Sequence, residues 1–81
     1  MSTVYTEMMN AILASILENE LDIVDNENGW YRSVFTNAAH ALNEKDYGQL
    51  LKTVRKTAKK LRKQANGCPS NPFKWIEHYN T

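Results

Sequence analysis

Eighty-one residues, 42% hydrophobic and 23% charged, make one domain over 1–81, exclude a barrel or doubly wound enzyme, and argue for a packed core rather than disorder. A single core of this size supplies only ~3–5 kcal/mol, and the lone cysteine forms no intrachain disulfide, so tight helix packing or self-association is expected to help. The net charge of +1 conceals a segregation: residues 1–46 carry eight acids against two bases, and residues 47–81 carry eight bases against Glu77 alone.

Tyr5, Met8, Met9, Ile12, Leu13, Ile16, Leu17 and Leu21 recur as adjacent pairs every four residues, which predicts an amphipathic helix over about 3–21. The acids that follow are mildly unfavourable at a helix carboxyl end, and Asp25-Asn26-Glu27-Asn28-Gly29 reads as a turn. Trp30, Val34, Ala38 and Ala41 or Leu42 line one face of a second helix, about 30–43, with Asn28 as its cap and Asn43-Glu44-Lys45 as a linker. A capping box at Asp46 and Gln49 starts the third helix at Tyr47, with Gly48 weakening its first turn. Tyr47, Leu51, Val54, Ala58, Leu61 and Ala65 then follow the spacing of a coiled-coil seam, expected to serve self-association, until Asn66-Gly67 and Pro69 end the helix. Asn71-Pro72 opens a short aromatic fourth helix with Phe73, Trp75, Ile76 and Tyr79, where Trp75, like Trp30, is expected to fill the core. The expected fold is all-α, a small bundle of three longer helices plus a short C-terminal helix.

Chemistry concentrates in Lys52, Arg55, Lys56, Lys59, Lys60, Arg62 and Lys63, seven of the ten bases within twelve residues, opposite the apolar seam. Such a face can be merely solvated or paired with the acids of the first helix, can dock on an acidic protein surface, or can neutralise the phosphates of a nucleic acid. No helix-turn-helix spacing, zinc motif or aromatic stacking platform accompanies it, and Gln64 is the only amide beside it, so nucleic acid is the alternative rather than the leading reading. Anionic lipid is disfavoured because this helix has no Trp or Phe to anchor in an interface.

Catalytic and metal sites are not expected. Glu18, Asp22 and Asp25 share a helical face, but a calcium loop with Gly29 sixth would begin at Val24 and close on Phe35. His40, Glu44 and His78 are too sparse for a zinc site or an activated nucleophile, and His40 is expected half-buried beside Ala41. Cys68 stands between Gly67 and Pro69 with no histidine near it in the chain, and no phosphate loop or nucleophile elbow occurs, so no cofactor and no enzyme activity are expected. A single cysteine, no glycosylation sequon, no signal peptide and no 18-residue apolar span fit a cytoplasmic protein. The abundance of asparagine, lysine, tyrosine and isoleucine suits an A/T-rich genome such as a phage's.

From Ala38-Ala39-His40-Ala41-Leu42-Asn43-Glu44-Lys45-Asp46-Tyr47 through the long basic helix, the Pro-containing turn and the aromatic end, residues 30–80 resemble class IIa bacteriocin immunity proteins. The first third departs from that pattern by one helix, and no functional residue carries over. The resemblance implies a cytosolic helical bundle that engages a membrane-pore complex, a profile shared by cytoplasmic phage antiholins. The expected function is thus non-enzymatic: an inhibitor or regulator that binds a protein with an acidic surface, without membrane insertion and with self-association.

Overall fold

A computed structural model describes residues 3–26 and 33–80. Four α-helices follow in order, α1 (Thr3–Asp25), α2 (Phe35–Ala41), α3 (Glu44–Gln64) and α4 (Trp75–Tyr79), with a 3₁₀ turn over Pro72–Lys74 leading into the last. The fold is all-α, with no strand among the described residues. Two helices are long and two short, where three long ones were expected. The expected role of Trp30 and the cap at Asn28 lie outside the described residues.

The body of the molecule is an antiparallel pair, α1 on α3. Near one end Asn66 Nδ2 donates to Glu7 Oε2 at 2.9 Å, and near the other Arg55 grips Asp25. The residues that seal the pair are small: Ala11, Ala14, Ala58 and Ala65 are buried, together with Leu21 and Cys68, and no large side chain is fully buried among the described residues. Alanine faces let two helices approach closely, but each contributes only roughly 0.8 kcal/mol per buried carbon. The principal extents of 48 × 24 × 15 Å describe a thin slab only about one and a half helix diameters deep. Large apolar side chains therefore remain at its surface.

The expected self-association seam is engaged within the chain. Tyr47, Leu51, Val54 and Leu61 share the face of Ala58 and Ala65, all six are buried or half-buried, and α1 and α2 are the helices that pack on α3.

Helix boundaries moved where charge and caps settled them. α1 continues four residues past the expected end because its acids are met by cations from α3, which offsets their unfavourable place at the carboxyl end. α2 starts only at Phe35: Ser33 Oγ accepts from the Phe35 N–H at 3.1 Å, and the Ser33 carbonyl accepts from Thr36 N at 3.0 Å. It stops at Ala41 because Leu42 is extended, with φ −110° and ψ 154°.

α3 begins one turn earlier than expected. Asn43 Oδ1 accepts from the Asp46 N–H at 2.8 Å while its Nδ2 donates to Asp46 Oδ2 at 3.2 Å, so the capping pair is Asn43 with Asp46 rather than Asp46 with Gln49. This register places Glu44 and Asp46 in the first turn, where the helix dipole favours acids, and makes the expected linker part of the helix. The carboxyl end follows expectation: Asn66 (φ 53°) and Gly67 (φ 81°) are both left-handed, and Cys68 N returns to the Ala65 carbonyl at 3.0 Å.

That reversal turns the chain back toward α1. Asn71 Oδ1 caps the 3₁₀ turn by accepting from Phe73 N at 3.0 Å, Pro72 occupies its first position, and Trp75 Nε1 donates to the Pro69 carbonyl at 2.7 Å. Trp75 and Tyr79, with Met8, pack on the cluster of Ala11, Ala65 and Cys68. Trp75 is half-buried rather than mainly buried, and Phe73 (90% exposed) and Ile76 (71%) face outward, so only part of the aromatic end fills the core.

Candidate partner-binding site

The seven bases of α3 divide into two chemically distinct groups. Arg55 Nη1 and Nη2 donate to Asp25 Oδ2 and Oδ1 at 3.0 and 2.7 Å, a bidentate pair. Arg62 Nε and Nη2 donate to Glu18 Oε2 and Oε1 at 3.2 and 2.6 Å, and Nη2 also donates to Ser15 Oγ at 3.1 Å. Planar guanidinium forks suit this two-point grip on a carboxylate. The hydrogen bonds to Arg55, opposed by desolvation and aided by its charge, hold the Asp25 carboxyl below its ordinary range, and the same pairs raise Arg55 and Arg62. Both arginines of the expected basic face therefore latch α1 to α3.

The five lysines do the opposite. Lys52, Lys56, Lys59, Lys60 and Lys63 are exposed, and none makes a salt bridge to a described residue. At about 100° per residue they occupy a stripe roughly 100° wide and ~17 Å long on the side of α3 opposite Ala58 and Ala65. Because α3 starts at Glu44, exposed Lys45 falls on the same line and extends it to ~27 Å. Lys45 belongs to the expected linker Asn43-Glu44-Lys45, and the Asn43 cap brings it into the helix. Lysine ammoniums are compact, hydrated point charges on mobile stems, suited to a diffuse negative surface rather than one fixed fork.

A second surface lies on α1. Its residues divide by size: Ala11 and Ala14, with Glu7, Glu18 and Asp25, turn toward α3, while Met9, Ile12, Leu13 and Ile16 turn outward and are exposed, Ile16 at 53%. Tyr5, Met8, Met9 and Ile12 form, with Trp75 of α4, an open apolar cleft of about 290 Å³. The four α1 residues belong to the broad apolar face that the periodicity predicts. The legible signal was that an alanine-rich seam on α3 can cover only one side of a helix apolar over so wide an arc.

The remaining candidates resolve individually. His40 is exposed rather than half-buried, as is Ala41, because α2 is short and its outer side has no neighbour among the described residues. His78 meets the ring of Tyr79 edge-on at 4.7 Å. Tyr79 donates to Glu7 Oε1 at 3.1 Å, and its hydroxyl is raised well above the ordinary phenol range, first by the neighbouring Cys68 thiol, then by desolvation and Glu7. Cys68 itself is buried. Among the described residues no group of three or more His, Cys, Asp or Glu is arranged to hold a metal ion, and no helix is long and apolar enough to cross a membrane. Comparison with protein-family models, with curated proteins and with solved structures finds no match.

Proposed function

We propose that this chain is a non-enzymatic binding protein, a regulator or inhibitor that docks on an acidic protein surface through Lys52, Lys56, Lys59, Lys60 and Lys63, with Lys45 extending the contact. The observation that carries the reading is the division of labour on α3: its arginines are bonded to Asp25 and Glu18, while its lysines stand exposed in one line with no salt bridge to a described residue. A lysine line steers an acidic partner into an encounter and orients it, with an on-rate that falls as salt screens the charges. The resemblance of residues 30–80 to immunity proteins makes the cytosolic, acidic face of a membrane-pore protein the first partner to examine.

A second reading, an accessory protein on nucleic acid, draws on the same line. Holding Arg55 and Arg62 in pairs with Asp25 and Glu18 leaves lysine point charges that hold phosphates but no free planar guanidinium fork on this line to read guanine edges. The two readings separate in titrations of poly-L-glutamate and of a duplex DNA, each with the native chain and with Lys52→Glu, Lys56→Glu, Lys59→Glu and Lys63→Glu combined. The leading reading expects polyglutamate binding that the combined variant loses. Tighter duplex binding, weakening by ~0.9 log units per log of salt for each phosphate neutralised, favours the second. Binding of neither polyanion contradicts both.

A further inference from the structure

We infer that the outward face of α1 is the contact between two copies of this chain, packed antiparallel about a two-fold axis near Ile12 and Leu13. This surface lies on a different helix from the lysine line and stands independently of it.

Three observations lead there. The first is area: Tyr5, Met9, Ile12, Leu13 and Ile16 together expose roughly 400–450 Å² on one side of a single helix, about half of the ~800 Å² per partner of a standard stable interface. Among the described residues no large side chain is fully buried, so a chain of this length gains from a partner the core that its alanine-sealed pair lacks.

The second is fit. A two-fold interface needs a projection and its receptor on the same patch. Ile16 is the most exposed apolar side chain of α1, and the cleft of Tyr5, Met8, Met9, Ile12 and Trp75 lies about two turns toward the amino end of the same helix. With the axis near Ile12 and Leu13, Met9 of one copy stands opposite Ile16 of the other, and each Ile16 enters the other copy's cleft. Both insertions occur at once, which a heterologous contact would not require.

The third is charge. No residue from Met8 to Leu17 is ionisable, while Glu18, Glu20, Asp22 and Asp25 crowd the carboxyl end. A parallel pair would align the two acidic ends. Glu18 and Asp25 are turned toward α3, and the antiparallel pair holds the two Glu20 positions, one turn beyond Ile16 on the outward side, ~22 Å apart along the axis, beyond the ~10 Å screening length, and sets each acidic end beside the positive helix terminus of its partner. The product is a bundle with α1 and its copy at the centre, α3 and its copy outside, and the two lysine lines turned outward.

Sedimentation of the full chain at about 10–100 µM tests this. The native chain is expected at twice its 9.3 kDa mass, as is the combined Lys→Glu variant of α3, while Ile16→Glu is expected at the single mass. Because Ile16→Glu can also disturb folding, a Cys68→Ala background carrying Met9→Cys in one copy and Ile16→Cys in the other supplies the second reading under mild oxidation. Preferential crosslinking of position 9 to position 16 is expected. A native chain of single mass throughout that range overturns the proposal, as does a dimer that Ile16→Glu leaves intact, or a dimer whose crosslinks join 9 to 9 and 16 to 16.

Discussion

Arg62 reaches across from α3 to hold Glu18 of α1 by both carboxylate oxygens, at 2.6 and 3.2 Å, although 44 residues separate them in the chain. With Arg55 on Asp25, it fixes the register of two helices whose buried faces are mostly alanine and would otherwise slide.

Arg62→Lys is therefore expected to destabilise the chain by about 0.5–1 kcal/mol, since an ammonium cannot reproduce the fork and also loses Ser15. Urea unfolding measures it. Exchanging the charges, with Arg62→Glu and Glu18→Arg together, should recover part of what each single reversal costs; additive losses would show that the two residues are not coupled.

The Asp25 carboxyl, held below its ordinary range by Arg55, gives the stability a defined dependence on pH. Its folded pKa is depressed, so the contribution is fully present above the unfolded value of ~3.9 and is lost as pH falls through the folded one. Both partners are about half exposed, and solvent screening keeps the effect to roughly 0.5 kcal/mol or less. Asp25→Asn should lower stability at pH 7 and flatten its fall below about pH 4, measured by urea unfolding across that window.

The start of α3 is tested by caps. Asn43→Ala should cost about 1 kcal/mol and remove helicity from the first turn, because Asn43 bonds both the N–H and the side chain of Asp46. Gln49→Ala should change little. The reverse order would restore a capping box at Asp46.

Glycines in two settings should respond with opposite sign. Gly48 lies inside α3 and a Cβ there meets nothing within 4 Å, so Gly48→Ala is expected to stabilise by about 0.5–1 kcal/mol. Gly67, at φ 81°, is left-handed, and Gly67→Ala should destabilise by roughly 1 kcal/mol. Thermal melts of the two variants compare them directly.

Much of the fold was legible because long-period apolar spacing and terminator residues act locally. The spans of α1 and α3, the Asn66-Gly67 stop and the Asn71-Pro72 start all follow from neighbours in the chain. What was misread depends on contacts distant in sequence. The four extra residues of α1 rest on arginines supplied by α3, and the brevity of α2 on Ser33, which also bonds the Glu20 carbonyl of α1 at 3.4 Å. At the candidate site the basic cluster was plain from composition, and helical spacing sets Arg55 and Arg62 beside the lysine stripe on the flank nearer Ala58. What the arginines meet there, Asp25 and Glu18 of α1, depends on contacts distant in sequence.

Whether the lysine line binds an acidic protein surface is decided by capture from detergent-solubilised cells. Native chain and the combined Lys→Glu variant would each be used as bait, with and without nuclease. A protein that stays bound to the native chain after nuclease and is absent from the variant's capture is expected. A protein held equally by both baits, or one released by nuclease, would contradict that role of the lysine line.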